Sequence, residues 1–154
     1  MDMPMPTAEH RRLHAFAGEW LGEEKMFPSP WGPGGPALGR STSRVDLEGF
    51  FVIHDYIQEI DGRVMFRGHS VFGYDTQAKE YTWYWVDSMG QPPESAARGL
   101  WEGNTLTFVS TGPQGMSRYV YHFVDERTYT MRIEQSRDGG KTFSPFMDGT
   151  YRKK

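Results

Sequence analysis

An aromatic run near the middle of the chain, EYTWYWVDSMG at residues 80–90, most constrains how this sequence can fold. Successive side chains of an extended strand point to opposite faces, so Trp83, Trp85 and Asp87 share one face. A contiguous aromatic patch of this kind would drive association if it were exposed to water. The run therefore predicts a strand whose aromatic face lines either a core or a ligand cavity.

Composition and turn signals both favour an all-β chain. The 154 residues are 15% aromatic and include 18 Gly and 10 Pro, which suits a barrel with many turns better than a helical bundle. About ten predicted strands, one of them at 94–102, recur at intervals of roughly 8–12 residues, separated by turns such as 61–62 and 112–115. We expect an antiparallel up-and-down barrel, because a long meander removes its edges by closing.

The sequence predicts a single domain over residues 1–154. Alternating Met and Pro in residues 1–6 predict a flexible N-terminus. Residues 7–17 predict a short helix, and its narrow apolar stripe suggests that it lies across an opening or edge of the main body without being a core element. The barrel is expected over residues 19–152.

Charge and cysteine content exclude several classes of function. A net charge of −3 and a pI near 5.9 give no electrostatic reason to bind nucleic acid or an anionic membrane. The absence of cysteine excludes disulfides and thiolate metal ligands. Because the chain also lacks a signal peptide and an apolar run that could span a bilayer, we expect a cytoplasmic protein. The sequence does not predict the oligomeric state.

The bulkier side chains of each predicted strand are expected to point into the barrel. A ten-stranded barrel encloses more volume than an eight-stranded one, so side chains need not fill it. Aromatic rings and Met thioethers with a few polar groups are the usual lining of a small-molecule site. The residues expected to contact such a ligand are Phe66, Ser70, Phe72, Trp83, Trp85, Asp87, Trp101, Tyr119, Tyr121, Met131 and Met147.

Two residues are candidates for acid–base chemistry. A carboxylate at the end of the aromatic strand, Asp87, would be desolvated inside the barrel and could act as an acid, a base or a ligand acceptor. Alternatively, Asp87 caps the following turn through backbone N–H groups. His54 is the other candidate, although residues 50–60 are apolar on both faces and do not show which face points inward. Its neighbour Asp55 must point the opposite way.

Other motifs are interpreted as structural. His10 and His14 have the i, i+4 spacing of metal ligands, but their arginine-rich setting favours a solvated helix face, and we expect no metal. The loop at 28–39 is too rich in Pro and Gly to continue a strand, and it lacks the Lys and Ser/Thr of a phosphate loop. Its Trp31 is expected to fold down as a hydrophobic anchor for the loop, and contact with a ligand is the alternative. No cofactor is expected.

Four segments resemble one known family. The Gly18-Glu19-Trp20 opening, the GYD at 73–75, the YTWYWVDSMG run and the closing GTYRKK are similar to the DUF1579 family of uncharacterised bacterial proteins. The resemblance covers essentially the whole chain and implies a calycin-like barrel akin to lipocalins and fatty-acid-binding proteins. It also implies that Trp20 closes one barrel end against Arg152. However, successive side chains of a strand alternate between faces, so if Tyr151 points inward, Arg152 points outward. The family has no established activity.

The GEWLGE opening is also slightly similar to nitrobindin-type haem proteins. Those proteins need a proximal His from the C-terminal part of the barrel, where this chain offers His122 on the predicted outer face. Haem is therefore not expected.

Three hypotheses of function follow from the sequence. The favoured one is a barrel that binds a small apolar or aromatic ligand. The second is a cofactor-free isomerase, cyclase or hydrolase that uses Asp87 or His54 as acid or base. The third is a structural or partner-binding protein with a filled core that uses the exposed loop at 28–39.

Overall fold

A short N-terminal helix is followed by antiparallel strands that close into a barrel in the order of the sequence. The computed structural model describes residues 2–93, 95–113 and 115–154, and within these ranges the barrel has ten strands. The predicted all-β, up-and-down barrel with a short N-terminal helix is thus confirmed.

The strands and helices have the following bounds. The α-helix α1, Ala8–Arg12, runs into a 3-10 turn at Leu13–Phe16, and a second 3-10 turn lies at Leu47–Gly49. The strands are β1 Gly18–Met26, β2 Gly35–Asp46, β3 Phe51–Ile60, β4 Arg63–Asp75, β5 Glu80–Asp87, β6 Ala97–Glu102, β7 Thr105–Gly112, β8 Gly115–Asp125, β9 Thr128–Ser136 and β10 Ser144–Lys153.

Three sequence predictions fall partly outside the described residues. The strand predicted at 94–102 begins at Ala97, and Glu94 lies outside the described ranges. The same holds for Gln114 of the turn predicted at 112–115 and for Met1 of the N-terminal segment.

Strand β1 closes the barrel because it pairs on both of its sides. Its register with β10 runs from Trp20 opposite Lys153 to Met26 opposite Met147. On its other side, β1 pairs with β2 from Gly18 to Met26. Both backbone edges of the first strand are therefore used, which removes the exposed edges that an open meander would present.

The barrel wall is weakest between β5 and β6. These strands pair over only three positions, from Tyr81 opposite Gly99 to Trp83 opposite Ala97. On its other side, β5 pairs with β4 along its full length, up to Asp87. The last half of β5 therefore diverges from β6, and the wall separates there.

The N-terminal helical segment plugs one barrel end. Leu13 and Phe16 are fully buried, and the Phe16 ring stacks on Phe72 with a centroid distance of 4.6 Å. The Trp20 indole N–H donates to the Phe16 carbonyl at 2.8 Å, which fixes the segment to β1. The prediction that this helix is not a core element is wrong, because the Phe16 side chain enters the barrel and packs on its inward rings.

The ring of Trp20 has a different cationic partner from the one that the family resemblance implied. Arg152 is exposed, since Tyr151 points inward and successive residues alternate. Lys153, the next inward position, lies with its Nζ 5.4 Å from the Trp20 ring centroid. The expected pairing of Trp20 with Arg152 is therefore wrong, and a lysine occupies that position.

Close packing at Gly22 yields a prediction about stability. A Cβ at this position would overlap the Tyr151 ring, which crosses the interior directly over the glycine. We expect Gly22→Ala to destabilise the protein by about 1–3 kcal/mol through overpacking. Thermal denaturation would show this as a Tm several degrees lower.

Gly32→Ala is the matched control, since no atom lies within 4 Å of a Cβ built there. Equal Tm values for the two variants would contradict the packing argument.

Candidate functional site

The interior is hollow toward the barrel end opposite the helical plug. A cavity of about 440 Å³ lies there, bounded mainly by aromatic and Met side chains of the inward faces. A cavity of this volume is within the range that holds drug-sized molecules. The alternative of a solidly filled interior is therefore wrong.

Most of the residues predicted to contact a ligand reach this cavity. The aromatic face of β5 forms one wall, where the Trp83 ring lies 5.4 Å from the Trp85 ring and 4.6 Å from the Tyr119 ring. Trp85 in turn stacks on Phe66. The predicted residues that line the cavity are Phe66, Trp83, Trp85, Asp87, Tyr119, Tyr121, Met131 and Met147, together with His54.

Three predicted contact residues do not line the cavity. Phe72 is enclosed between the rings of Phe16 and Trp83 in the plugged end. The Trp101 ring packs on Phe123 and lies under the Arg12 guanidinium, 4.7 Å from it. Ser70 is only 1% exposed and is not among the residues that line the cavity. Phe72 and Trp101 face the end of the barrel that the helical plug fills, so they lie outside this cavity.

Asp87 lies at the cavity rim with both carboxylate oxygens occupied. One oxygen accepts the Trp85 indole N–H at 2.7 Å, and the other accepts the Met89 backbone N–H at 2.9 Å. The second bond caps the turn that ends β5, as the structural interpretation of Asp87 expects. The carboxylate therefore orients a cavity-lining indole as well as its own strand end.

His54 points into the barrel and lines the cavity. Its Nδ1 lies 2.6 Å from the hydroxyl of the buried Ser43. Burial lowers the pKa of His54 to about 4, so the imidazole is neutral near pH 7. Asp55 points outward and pairs with His69 and Arg44, so it does not act together with His54.

A buried carboxylate that the sequence interpretation missed lies behind the cavity wall. Glu24 is 5% exposed, and the hydroxyl of Tyr56 donates to both of its oxygens, at 2.8 and 2.7 Å. The Gln58 amide donates to it at 3.1 Å, and the Tyr151 hydroxyl donates to Oε2. Burial, together with the negative charge of Glu24, raises the pKa values of Tyr56 and Tyr151.

The sequence did contain a signal for this cluster. Glu24 has the same strand phase as Trp20 and Met26, and bulky side chains such as these two are the ones expected to point inward. Two glycines provide the necessary space, since a Cβ at Gly39 would overlap Glu24 and a Cβ at Gly22 would overlap a ring of the cluster. An inward carboxylate flanked by glycines is thus detectable from strand alternation.

The indole of Trp83 has an unused hydrogen-bond donor. Trp83 is 7% exposed, and its Nε1 has no acceptor among the described residues. A buried N–H without a partner costs about 1–3 kcal/mol. The nitrogen is itself enclosed by protein atoms, so it does not face the open space of the cavity.

A smaller side pocket joins the same wall where β5 and β6 separate. It has a volume of about 180 Å³ and shares Trp83, Trp85, Asp87 and Tyr119 with the main cavity. Its outer part is lined by the loop after β5, including Gln91 and Ser95. The short β5–β6 pairing thus creates a lateral recess beside the aromatic wall.

The mouth of the main cavity is formed partly by the Pro- and Gly-rich loop. Trp31 lines the cavity edge but remains 66% exposed, with its ring 6.4 Å from that of Phe146. The prediction that Trp31 folds down as a buried anchor is wrong. The loop between β1 and β2 instead holds this ring at the opening.

His10 and His14 are both occupied in separate structural contacts. His10 is buried against the rings of Phe50 and Tyr74, and its Nδ1 accepts the Thr7 backbone N–H. The ring of His14 bonds the Gly49 carbonyl at 3.0 Å. The prediction of a solvated histidine face is therefore wrong for His10. In the part of the chain that the structure describes, no group of three His, Asp or Glu residues could hold a metal.

Comparison with known proteins gives a family and a fold. Residues 5–153 match the model of a family described as "Protein of unknown function (DUF1579)". The solved structure of Rv2717c from M. tuberculosis is similar with a TM-score of 0.70 at 10% identity, over 96% of this chain and 98% of that one. An S-type phycobiliprotein lyase, CPES from Guillardia theta, has a TM-score of 0.66 at 8% identity, over 96% of this chain and 93% of the other.

At these identities the two structures show a shared barrel fold. No curated protein sequence matches this chain. Among the described residues, no helix is both long enough and apolar enough to cross a bilayer.

The Glu24 cluster gives a prediction about stability. Tyr56→Phe removes a hydroxyl that donates to a buried carboxylate, so we expect a loss of about 1.5–3 kcal/mol in the free energy of unfolding. Urea denaturation would measure the loss. Tyr84→Phe is the control, since Tyr84 is exposed on the outer face of β5. Equal losses in the two variants would contradict a stabilising role for the cluster.

Burial of His54 predicts a pH dependence of stability. The pKa of His54 is lowered from 6.5 to about 4 on folding, so the unfolded chain binds more protons between these pH values. Stability is therefore lost as the pH falls through this window, by up to about 3 kcal/mol.

Urea denaturation at pH 7 and pH 4.5 should show a smaller pH effect in His54→Gln than in the wild type. His122→Gln, on the outer face, is the control. An undiminished pH effect in His54→Gln would contradict this account.

Proposed function

The chain belongs to the DUF1579 family of proteins of unknown function, and we propose that its barrel binds a small apolar or aromatic molecule. The observation that carries this proposal is the cavity of about 440 Å³ at the open end of the barrel. Protein interiors are normally close-packed, so a hollow of this size is unusual. A bound ligand would fill the space and explain why it is there.

The lining of the cavity matches a flat, apolar ligand. Trp83, Trp85 and Tyr119 present ring faces and edges within one wall, and aromatic ligands gain from both stacked and edge-to-face contact. Met26, Met131 and Met147 lie elsewhere in the lining. Their flexible thioethers adapt to the outline of a bound ring.

Several polar groups near the cavity are not available to a ligand. The Nε1 of Trp83 is enclosed by protein atoms, so a ligand in the cavity does not reach it. The hydroxyl of Tyr56 is less available, because it already donates to Glu24. The preferred ligand is thus a mainly apolar aromatic molecule.

Acid–base catalysis by His54 is the second candidate function. The neutral imidazole lines the cavity, whereas both oxygens of Asp87 are engaged. A hydrolytic role predicts that naphthyl acetate is cleaved faster by the wild type than by His54→Gln. Equal cleavage rates for the wild type and His54→Gln would contradict catalysis by His54, and ligand binding would then be the proposed function of the cavity.

Cavity binding is tested with N-phenyl-1-naphthylamine, a neutral aromatic probe that fluoresces in apolar sites. We expect saturable binding to the wild type and at least a tenfold loss in Ile133→Trp. The new indole would occupy the cavity, since Ile133 lines it.

Arg132→Trp is the matched control, because Arg132 lies next in the strand and is exposed on the outer face. Unchanged probe affinity in Ile133→Trp, or no saturable binding to the wild type, would contradict the proposal.

A further inference from the structure

The cavity is lined mainly by apolar side chains, but the few ionisable groups around it are not balanced in charge. Among the described residues that line it, none is Lys or Arg. Its ionisable groups are the carboxylate of Asp87 at the rim, the imidazole of His54 and several tyrosines. A bound anion would thus meet no cationic side chain in the lining.

Glu24 adds a negative charge behind this wall. Tyr56 and Gln58 both line the cavity and both donate to Glu24, so the carboxylate lies one side chain away from the ligand space. None of the ion pairs among the described residues includes Glu24. Its three donors stabilise the carboxylate but do not cancel its charge.

A buried charge acts strongly on its surroundings. Salt screens buried charges far less than exposed ones, and the Coulomb energy increases as the effective dielectric constant falls. A ligand carboxylate, sulfonate or phosphate inside the cavity would be repelled by Glu24 and would also lose its hydration. A neutral molecule is not repelled by Glu24 and has no charged group to dehydrate. A cation would be attracted by the same carboxylate.

On the basis of the proposed function, we infer that the site selects its ligand by charge. The cavity takes neutral or cationic aromatic molecules and rejects anions of the same shape, because Glu24 lies uncompensated behind Tyr56 and Gln58. This inference separates the site from one that holds a fatty acid or another organic acid by its carboxylate.

Two probes that share one aromatic body test the inference. N-Phenyl-1-naphthylamine is neutral, and 8-anilino-1-naphthalenesulfonate is the same molecule with a sulfonate. Fluorescence titration should show the sulfonate binding at least about tenfold more weakly, the factor that corresponds to 1.4 kcal/mol. Only binding that Ile133→Trp abolishes is assigned to the cavity.

The role of Glu24 is tested by removing its charge. Glu24→Gln keeps the size of the side chain and an acceptor for Tyr56, and it should reduce the discrimination between the two probes severalfold. Glu23→Gln is the matched control, since it removes the same charge from an exposed neighbour on β1. The control should leave the discrimination unchanged.

A second variant keeps the test decisive if Glu24→Gln does not fold. Gln58→Lys places an ammonium where the amide lies 3.1 Å from Glu24, so it should also reduce the discrimination. The inference would be overturned if the sulfonate bound in the cavity as tightly as the neutral probe. It would also be overturned if the folded variants Glu24→Gln and Gln58→Lys showed the same ratio of affinities for the two probes as the wild type. Saturable binding of the neutral probe would still support the proposed function, whereas its absence would defeat both.

Discussion

Pairing between the first and last strands is the interaction on which the rest of the structure depends. It closes the meander and sets Gly22 of β1 directly opposite Tyr151 of β10. The glycine lets the tyrosine ring cross the interior, and the ring carries its hydroxyl to Glu24. Closure therefore does two things at once, because it removes the sheet edges and assembles a buried polar cluster from strands distant in sequence.

The closed barrel is divided into a filled end and a hollow end. Phe16 enters the filled end and contacts a set of rings that includes Phe72 and Tyr121, so that end needs no ligand to complete its packing. The hollow end lacks such a plug, and Met26 and Met147 pair there across the closing strands. The difference between the two ends arises from a helical segment that covers only one of them.

Strand alternation explains both what could be predicted from the sequence and what could not. The period of two correctly placed Trp83 and Trp85 on one inward face, and they lie in the cavity wall. It could not show that Phe72 and Trp101 face the plugged end, because that depends on where the helix packs. Glu24 was missed because a charged residue is normally assigned to the exterior, although its phase pointed inward.

The family resemblance was informative about topology and less so about individual side chains. It implied a closed barrel opened by a Gly-x-Trp motif, and Trp20 does lie at the plugged end with its indole bonded to Phe16. The cation over its ring is nevertheless Lys153. Strand alternation alone already indicated this outcome, since an inward Tyr151 turns Arg152 outward and Lys153 inward.

The most direct test of the central claim, that the hollow end binds a neutral aromatic ligand, is nuclear magnetic resonance of the five tryptophan indole N–H groups. Addition of N-phenyl-1-naphthylamine should shift the signals of Trp83 and Trp85 and leave those of Trp20 and Trp101 in place. Unchanged signals, or a shift confined to the exposed Trp31, would contradict the account.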